Sequence, residues 1–215
     1  MAAIFVKACG AENPAKVQEQ ILSGVDINSR AEFGTTGLLK AICWDRIATV
    51  HLLLSRSEID VNKVDAEGRC PLHYAAWYNR SNILTALLAD PRLNTVNLRC
   101  NEGSTPLLLA VDNNSSTCVK LLLEDPRTQP NAKFQFSRCC ECYKCRTERK
   151  TRPNEPGATL THGGSPLMWA VKLGYKKCVT ILLADPRVNI MTTDSYRRSH
   201  SEVARLLSHF LHFLI

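Results

Sequence analysis

The stretch RCPLHYAA, residues 69–76, decides the fold because the chain repeats it. Related copies are STPLLLAV from Ser104, GSPLMWAV from Gly164 and a weaker TTGLLKAI from Thr35. Neighbouring copies lie 34, 35 and 60 residues apart, measured between Gly37, Pro71, Pro106 and Pro166. A period of about 34 residues is typical of a repeat protein, in which each unit packs only on its neighbours.

Each copy reads as the start of a helix. In Thr105-Pro106 and Ser165-Pro166 a hydroxyl residue precedes a proline, so the hydroxyl can cap the helix and the proline suits its first position. A second apolar stripe follows and ends three times at Asp-Pro-Arg, at 90–92, 125–127 and 185–187. Proline stops that helix, and we expect the arginine at a helix carboxyl end. The predicted unit is two short antiparallel helices with a projecting loop.

These residues resemble one family. The TPLHxAA-like phrase, the leucine-rich second helix and a DxxG loop (Asp65 to Gly68) are similar to the ankyrin repeat. The resemblance implies an all-α ankyrin-repeat solenoid of stacked helix-turn-helix units with short hairpin loops, in a divergent array of about five to six repeats. Cys70 replaces the family's usual threonine, and Gly37 replaces its proline. Gly37 therefore predicts a less firmly started helix in its unit.

The spacing of the copies divides the chain into three parts. Residues 1–133 are predicted to hold repeats 1–4, the first of them an amino-terminal cap of two helices. Residues 134–162 account for the long interval and are predicted to form a flexible, basic, cysteine-rich loop insertion. Residues 163–215 are predicted to hold repeat 5 and a carboxy-terminal capping helix, where Ser199 and Glu202 resemble a capping box.

Composition favours an ordinary intracellular protein. The 215 residues are 45% apolar and carry a net charge of +7, which permits acidic partners without indicating nucleic-acid binding. Lys7 interrupts the first apolar run, and no run approaches the roughly 18 residues of a membrane span. We expect a cytoplasmic protein that can also be nuclear, with no membrane partner. Cys118 and Cys178 fall at one repeat position, occupied elsewhere by Ile83, and are predicted to be reduced core residues.

Catalytic motifs are absent from the sequence. It contains no Walker-type glycine loop, no His-Glu-x-x-His and no GxSxG elbow, and its six histidines have no paired acid or nucleophile. His73 belongs to the repeated phrase and is predicted to be structural. The sequence therefore predicts a protein that is not an enzyme and needs no cofactor.

The insertion carries one candidate metal site. Cys139-x-x-Cys142 has the spacing of half a zinc site, and Cys145 with His162 could supply the other two ligands. Its basic residues would favour thiolates, so a redox-active thiol cluster is a second interpretation. A loop with neither a metal site nor a redox role is the third interpretation.

The family's contact positions, carried over to this chain, give a candidate partner-binding stripe on the loop tips and the first helix of each unit. Trp44, Trp77 and Tyr78 lie just beyond the buried alanine face, where exposed aromatic side chains are favoured anchors; the alternative is packing on adjacent helices. Trp169 is predicted to pack between helices instead. The full predicted set is Phe33, Trp44, Glu67, Arg69, Trp77, Tyr78, Glu102, Asp112, Asn113 and Lys172.

These features predict a non-catalytic intracellular protein–protein interaction scaffold, which binds its partner through the concave face and loop tips of an ankyrin array. A substrate-recruiting adaptor of a larger complex, such as a ubiquitin ligase, is the alternative, with 199–215 as its docking element. A metal- or nucleic-acid-binding role of residues 138–152 is a third possibility. The chain is expected to be a monomer unless the apolar carboxy-terminal helix mediates dimerisation.

Overall fold

The computed structural model of the chain describes residues 2–133 and 164–190. Within those ranges it contains ten α-helices in five consecutive pairs, and no β-strand. The first helices of the pairs are α1 (Ala2–Cys9), α3 (Gly37–Cys43), α5 (Pro71–Trp77), α7 (Pro106–Asp112) and α9 (Pro166–Lys172). The second helices are α2 (Pro14–Leu22), α4 (Ile47–Leu54), α6 (Ser81–Leu88), α8 (Ser116–Glu124) and α10 (Lys176–Ala184). A short 3₁₀ helix spans Glu32–Gly34.

The helices form two layers. The five first helices pack on one another in chain order, and so do the five second helices. Small residues line the contact between layers: Ala41, Ala75, Ala110 and Ala170 stand at one repeat position and are all fully buried. An alanine there lets neighbouring helices approach closely. The predicted all-α solenoid of stacked helix-turn-helix units is confirmed.

The helices begin at the hydroxyl residues that the sequence predicted as caps. The Thr105 hydroxyl accepts a hydrogen bond from the Leu108 amide at 3.3 Å, and the Ser165 hydroxyl accepts one from the Met168 amide at 3.4 Å. Prolines occupy the first helical positions in both cases. Where Cys70 replaces threonine, its backbone N–H donates instead to His73 Nδ1 at 3.2 Å.

Gly37 is a packing residue, and α3 has a side-chain cap although it lacks the proline that begins the first helices of the later units. Thr36 caps α3 through a 3.3 Å bond from the Leu39 amide to its hydroxyl. A Cβ at Gly37 would lie 2.8 Å from both the Cys9 sulfur and a ring carbon of Phe5. Since Phe5 and Cys9 are fully buried in the amino-terminal cap, a side chain at position 37 would require one of them to shift.

The sequence predicted each arginine of the Asp-Pro-Arg tripeptides at the carboxyl end of the helix that the tripeptide stops, and the structure shows that its guanidinium also caps the second helix of the preceding unit. Arg92 Nη2 donates to the Leu54 carbonyl at the end of α4 at 2.8 Å, and Arg127 Nη2 donates to the Leu88 carbonyl at the end of α6 at 3.1 Å. Each guanidinium is also paired with the aspartate two residues earlier, at 2.6 Å for Arg92 and Asp90. The Arg92 hydrogen bond holds the pKa of the Asp90 carboxyl below its ordinary value.

Four asparagines link successive units. The side-chain amide of each donates to one backbone carbonyl of the next unit, and its side-chain oxygen accepts from the amide two residues further on. For Asn62 these bonds join Arg92 at 2.8 Å and Asn94 at 2.9 Å. Asn28, Asn97 and Asn131 make the equivalent pairs. We call this set (Asn28, Asn62, Asn97 and Asn131) the asparagine ladder.

Several predictions concern residues outside the described ranges. They include the cysteine-rich insertion, residues 134–162, and the capping helix predicted at the carboxy-terminal end, with Ser199 and Glu202. The proposed ligands Cys139, Cys142, Cys145 and His162 belong to this group. These remain predictions.

Candidate partner-binding surface

Three projecting loop tips stack on one another: 32–34, 66–68 and 101–103. The Ala66 amide donates to the Phe33 carbonyl at 3.0 Å, and the Asn101 amide donates to the Glu67 carbonyl at 2.9 Å. Each tip contains a glycine with positive φ, at 70° to 75° for Gly34, Gly68 and Gly103. The loops therefore form a continuous hydrogen-bonded row, which fixes their side chains relative to one another.

Phe33, at the first tip, is the most exposed large apolar side chain of the described residues, at 75%. Glu67 and Glu102 occupy the same place in the next two tips. The row thus presents one phenyl ring followed by two carboxylates. All three residues belong to the stripe predicted from the sequence.

The aromatic side chains at the helix ends divide into two kinds. Trp44 is 54% exposed, and the Lys40 ammonium lies 5.7 Å from the centre of its ring. Trp77 is half-buried and packs against the hydrophobic core, so the alternative of packing on adjacent helices applies to it. Tyr78 is also half-buried, with its ring 6.1 Å from the ring of Tyr74. Trp44 is therefore the most accessible of the three predicted anchors.

A buried carboxylate organises the second loop tip. Asp65 accepts hydrogen bonds from the Arg69 amide at 2.8 Å, from Arg69 Nε at 2.7 Å and from the Tyr74 hydroxyl at 2.8 Å. Arg69 also contacts Glu67 at 2.9 Å. Burial raises the pKa of Tyr74, so its hydroxyl stays protonated as a donor to Asp65. The predicted residues Arg69 and Glu67 are thus held in fixed positions.

Sequence reasoning missed Tyr74 and Lys40, which brace this surface. The signal for Lys40 is its position four residues before Trp44, which places both side chains on one helix face. The signal for Tyr74 is weaker. Its partners Asp65 and Arg69 lie in the loop before its helix, and only the folded loop brings them together.

At the other end of the stripe, Asp112 and Lys172 both contact Trp169. Trp169 Nε1 donates to Asp112 Oδ1 at 2.9 Å, and the Lys172 ammonium lies 5.3 Å from the centre of its ring. Trp169 is only 7% exposed, which confirms its predicted packing role. Asn113 donates through its side-chain amide to the Trp77 carbonyl. The Asp112 and Asn113 side chains therefore link units as well as bordering the surface.

His73 and the core thiols are neutral, structural groups. His73 is fully buried, and its Nε2 lies 2.9 Å from the Ser104 carbonyl while Nδ1 accepts from the Cys70 amide. Burial lowers the pKa of His73 to about 4, so the ring is neutral near pH 7. Cys118 and Cys178 are fully buried, and burial raises the pKa of both thiols. The structural interpretation of His73 and of these cysteines is confirmed.

In residues 2–133 and 164–190, no three His, Cys, Asp or Glu side chains are placed to hold a metal ion. No helix of the same ranges is long and apolar enough to cross a membrane. The predicted metal ligands of the insertion are outside these ranges.

Stacked helix pairs, a row of loop tips and a stripe of side chains at helix ends define a helical-repeat interaction module. The chain belongs to the ankyrin repeat family. The family model for ankyrin repeats, in its form with three copies, matches residues 5–97 and again 96–194. It follows that the chain is a protein–protein interaction module.

Curated proteins similar to this chain carry the same repeat. Rabankyrin-5 of Mus musculus and of Homo sapiens are each 34% identical over 103 residues, which is 42% of this chain and 9% of the relative. The ankyrin repeat protein nuc-2 of Neurospora crassa is 42% identical over 54 residues, or 25% of this chain and 5% of the relative. The chain thus spans less than a tenth of the length of these relatives.

Proposed function

We propose that the chain is a non-catalytic scaffold of the cytoplasm or nucleus that binds a protein partner through its loop tips and the exposed ends of its first helices. The partner would lie along the stripe from Phe33 and Trp44 to Lys172. Adaptor, metal-binding and nucleic-acid roles depend on residues 138–152 and 199–215, which the structure does not describe.

The observation that carries this proposal is the exposed indole of Trp44. A structural repeat needs only a polar residue at that place, and the equivalent residues in the next two units, Tyr78 and Asn113, are less exposed. The Lys40 ammonium lies 5.7 Å from the centre of the indole ring, and the attraction of a cation to an aromatic face favours this orientation of the indole. A large aromatic side chain held in one orientation loses little entropy on binding, which is what an interface anchor requires.

The two ends of the proposed surface carry opposite charges. The second and third loop tips carry Glu67 and Glu102, whereas the end of α9 carries Lys172. A partner that places basic residues against the tips and acidic residues against α9 would match both ends. Such complementarity mainly fixes orientation and association rate.

The test is a titration of a purified partner against W44A. Proteins that co-purify with the tagged chain from its own cells are identified by quantitative mass spectrometry, and each is produced recombinantly and titrated calorimetrically. We expect W44A to lower the affinity for the true partner about 10-fold or more, since an anchor residue contributes at least about 1.4 kcal/mol to the free energy of binding.

The matched control is K120A, which changes an exposed residue of α8 in the other helix layer. It should bind within about 2-fold of the wild type, because surface substitutions away from an interface have small effects. Equal affinities of W44A and the wild type for every such protein would contradict the proposal. W77A is a poorer probe, since Trp77 packs on the core and its loss should lower stability.

A further inference from the structure

We infer that Phe33 is a rigid apolar knob which inserts into a hydrophobic pocket on the surface of a folded protein partner. This inference rests on the proposed function and specifies the kind of partner. It comes from the backbone of the first loop tip, which differs from the other two.

The first tip is a tight turn with two consecutive left-handed residues. Phe33 has φ 56° and ψ 24°, and Gly34 has φ 70°. The Thr35 amide closes the turn on the Glu32 carbonyl at 3.2 Å, and the Ala31 amide donates to the Thr35 carbonyl at 2.8 Å. The Gly34 amide also donates to the Ala31 carbonyl at 3.1 Å, so the pairing of Ala31 with Thr35 encloses a three-residue loop in which Phe33 and Gly34 are both left-handed.

Phenylalanine is an unfavourable residue for this conformation. Four non-glycine residues have positive φ in residues 2–133 and 164–190, and three of them are Asp45, Asn79 and Asn114. Asp and Asn tolerate left-handed backbone, whereas a bulky side chain there is a conformational outlier. The residues equivalent to Phe33 in the other two tips, Glu67 and Glu102, do not have positive φ. The first tip therefore keeps a strained residue where an unstrained one is available.

The strain is not offset by packing of the ring. The ring is 75% exposed and is not part of the hydrophobic core. The backbone around it is nevertheless fixed, because the Phe33 carbonyl accepts from the Ala66 amide at 3.0 Å. A Cβ at Gly34 would lie 2.9 Å from that same nitrogen, so the tip is pressed against the next loop. Strain held by its surroundings at an exposed position points to a binding role.

The shape of the knob selects the partner. A ring that stands out from a loop tip keeps most of its surface in water unless its partner is concave. An extended peptide lying across the tip would cover one face only. A pocket on a folded protein covers both faces and the edge, and burying a phenyl group in this way contributes on the order of 10- to 100-fold in affinity.

The first arm of the test is stability. F33N places at the left-handed position a residue that tolerates this backbone, so we expect its unfolding equilibrium constant to fall about 5-fold below that of the wild type, from urea titrations followed by circular dichroism. E67N is the matched control at an unstrained tip, where no such gain is expected. A loss of stability in F33N would show that the ring is structural and would overturn the inference.

The second arm is contact. The photo-reactive probe p-benzoylphenylalanine is placed at position 33, and at position 67 as control, in the full chain expressed in its own cells. We expect position 33 to cross-link one protein through residues that line an apolar pocket of a folded domain, well above the yield at position 67. Cross-links to an extended segment, to a second copy of this chain, or at the yield of position 67 would overturn the inference.

The two hypotheses fail separately. If W44A lowers the affinity for a partner but position 33 gives no specific cross-link to that partner, the insertion of Phe33 into a pocket is rejected and the proposed scaffold function stands. If W44A has no effect and no partner is cross-linked, both are rejected.

Discussion

Removing one rung of the asparagine ladder should destabilise the array by a calculable amount. Asn62 accepts from the Asn94 amide at 2.9 Å and from the Thr95 hydroxyl at 3.2 Å, and donates to the Arg92 carbonyl at 2.8 Å. Three hydrogen bonds at about 1 kcal/mol each give an upper value of about 3 kcal/mol for the loss in the free energy of unfolding. Because the Asn94 amide can bond to water instead, we expect N62A to lose about 2 kcal/mol, or about 4–8 °C in Tm.

Urea unfolding followed by circular dichroism measures the loss, and hydrogen exchange of the Asn94 amide locates it. N94A is the matched control, because it removes an asparagine side chain from the same segment and keeps the backbone donor. A loss below about 0.5 kcal/mol in N62A, or an equal loss in N94A, would refute the assignment of these bonds as the link between units two and three.

Two further predictions concern buried groups. G37A adds a methyl 2.8 Å from the Phe5 ring and the Cys9 sulfur and should cost about 1–3 kcal/mol in urea titrations, whereas G10A, which meets mainly a flexible lysine, should cost much less. His73 has a pKa of about 4 when folded and about 6.5 when unfolded, so the unfolded chain binds the extra proton between these values. The His73 contribution to the free energy of unfolding should therefore be constant above pH 6.5 and fall by about 3 kcal/mol towards pH 4. H73Q should lack this contribution and keep the fall caused by carboxyls such as Asp90, whose pKa is also lowered.

Local signals predicted the architecture well. A threonine or serine before a proline marks a helix start without reference to the rest of the chain, and both Thr105 and Ser165 act as caps. Trp169 could be assigned to packing from its place in the repeated phrase alone. Such features depend on residues within one turn of helix, which is the range over which sequence patterns determine conformation.

Contacts between units could not be predicted, since their partners lie 30 or more residues away. The asparagine ladder is regular in sequence, at intervals of 34, 35 and 34 residues, but nothing local indicates that its side chains bond to the next unit. The packing role of Gly37 could not be predicted, because Phe5 and Cys9, which it contacts, lie about 30 residues earlier in the amino-terminal cap.

The candidate surface was only partly predictable for the same reason. The sequence placed Trp44, Trp77 and Tyr78 together as anchors, although burial depends on the next unit. The Trp77 side chain packs on the core and its carbonyl binds Asn113 of that unit, whereas Trp44 remains exposed. The positive φ of Phe33 is equally invisible in the sequence, since Phe-Gly is not a recognised turn signal.

The contacts between units explain how the array accommodates an interval of 60 residues in place of 35. Asn97 joins unit four at Arg127 and Gln129, and Asn131 joins unit five at Arg187 and Asn189 in the same pattern. The thiols of Cys118 and Cys178 likewise each lie 3.5 Å from the side-chain oxygen of an asparagine in the preceding unit. None of these bonds involves the chain that connects the two units. These side-chain contacts between the units themselves therefore fix the register of units four and five in the stack.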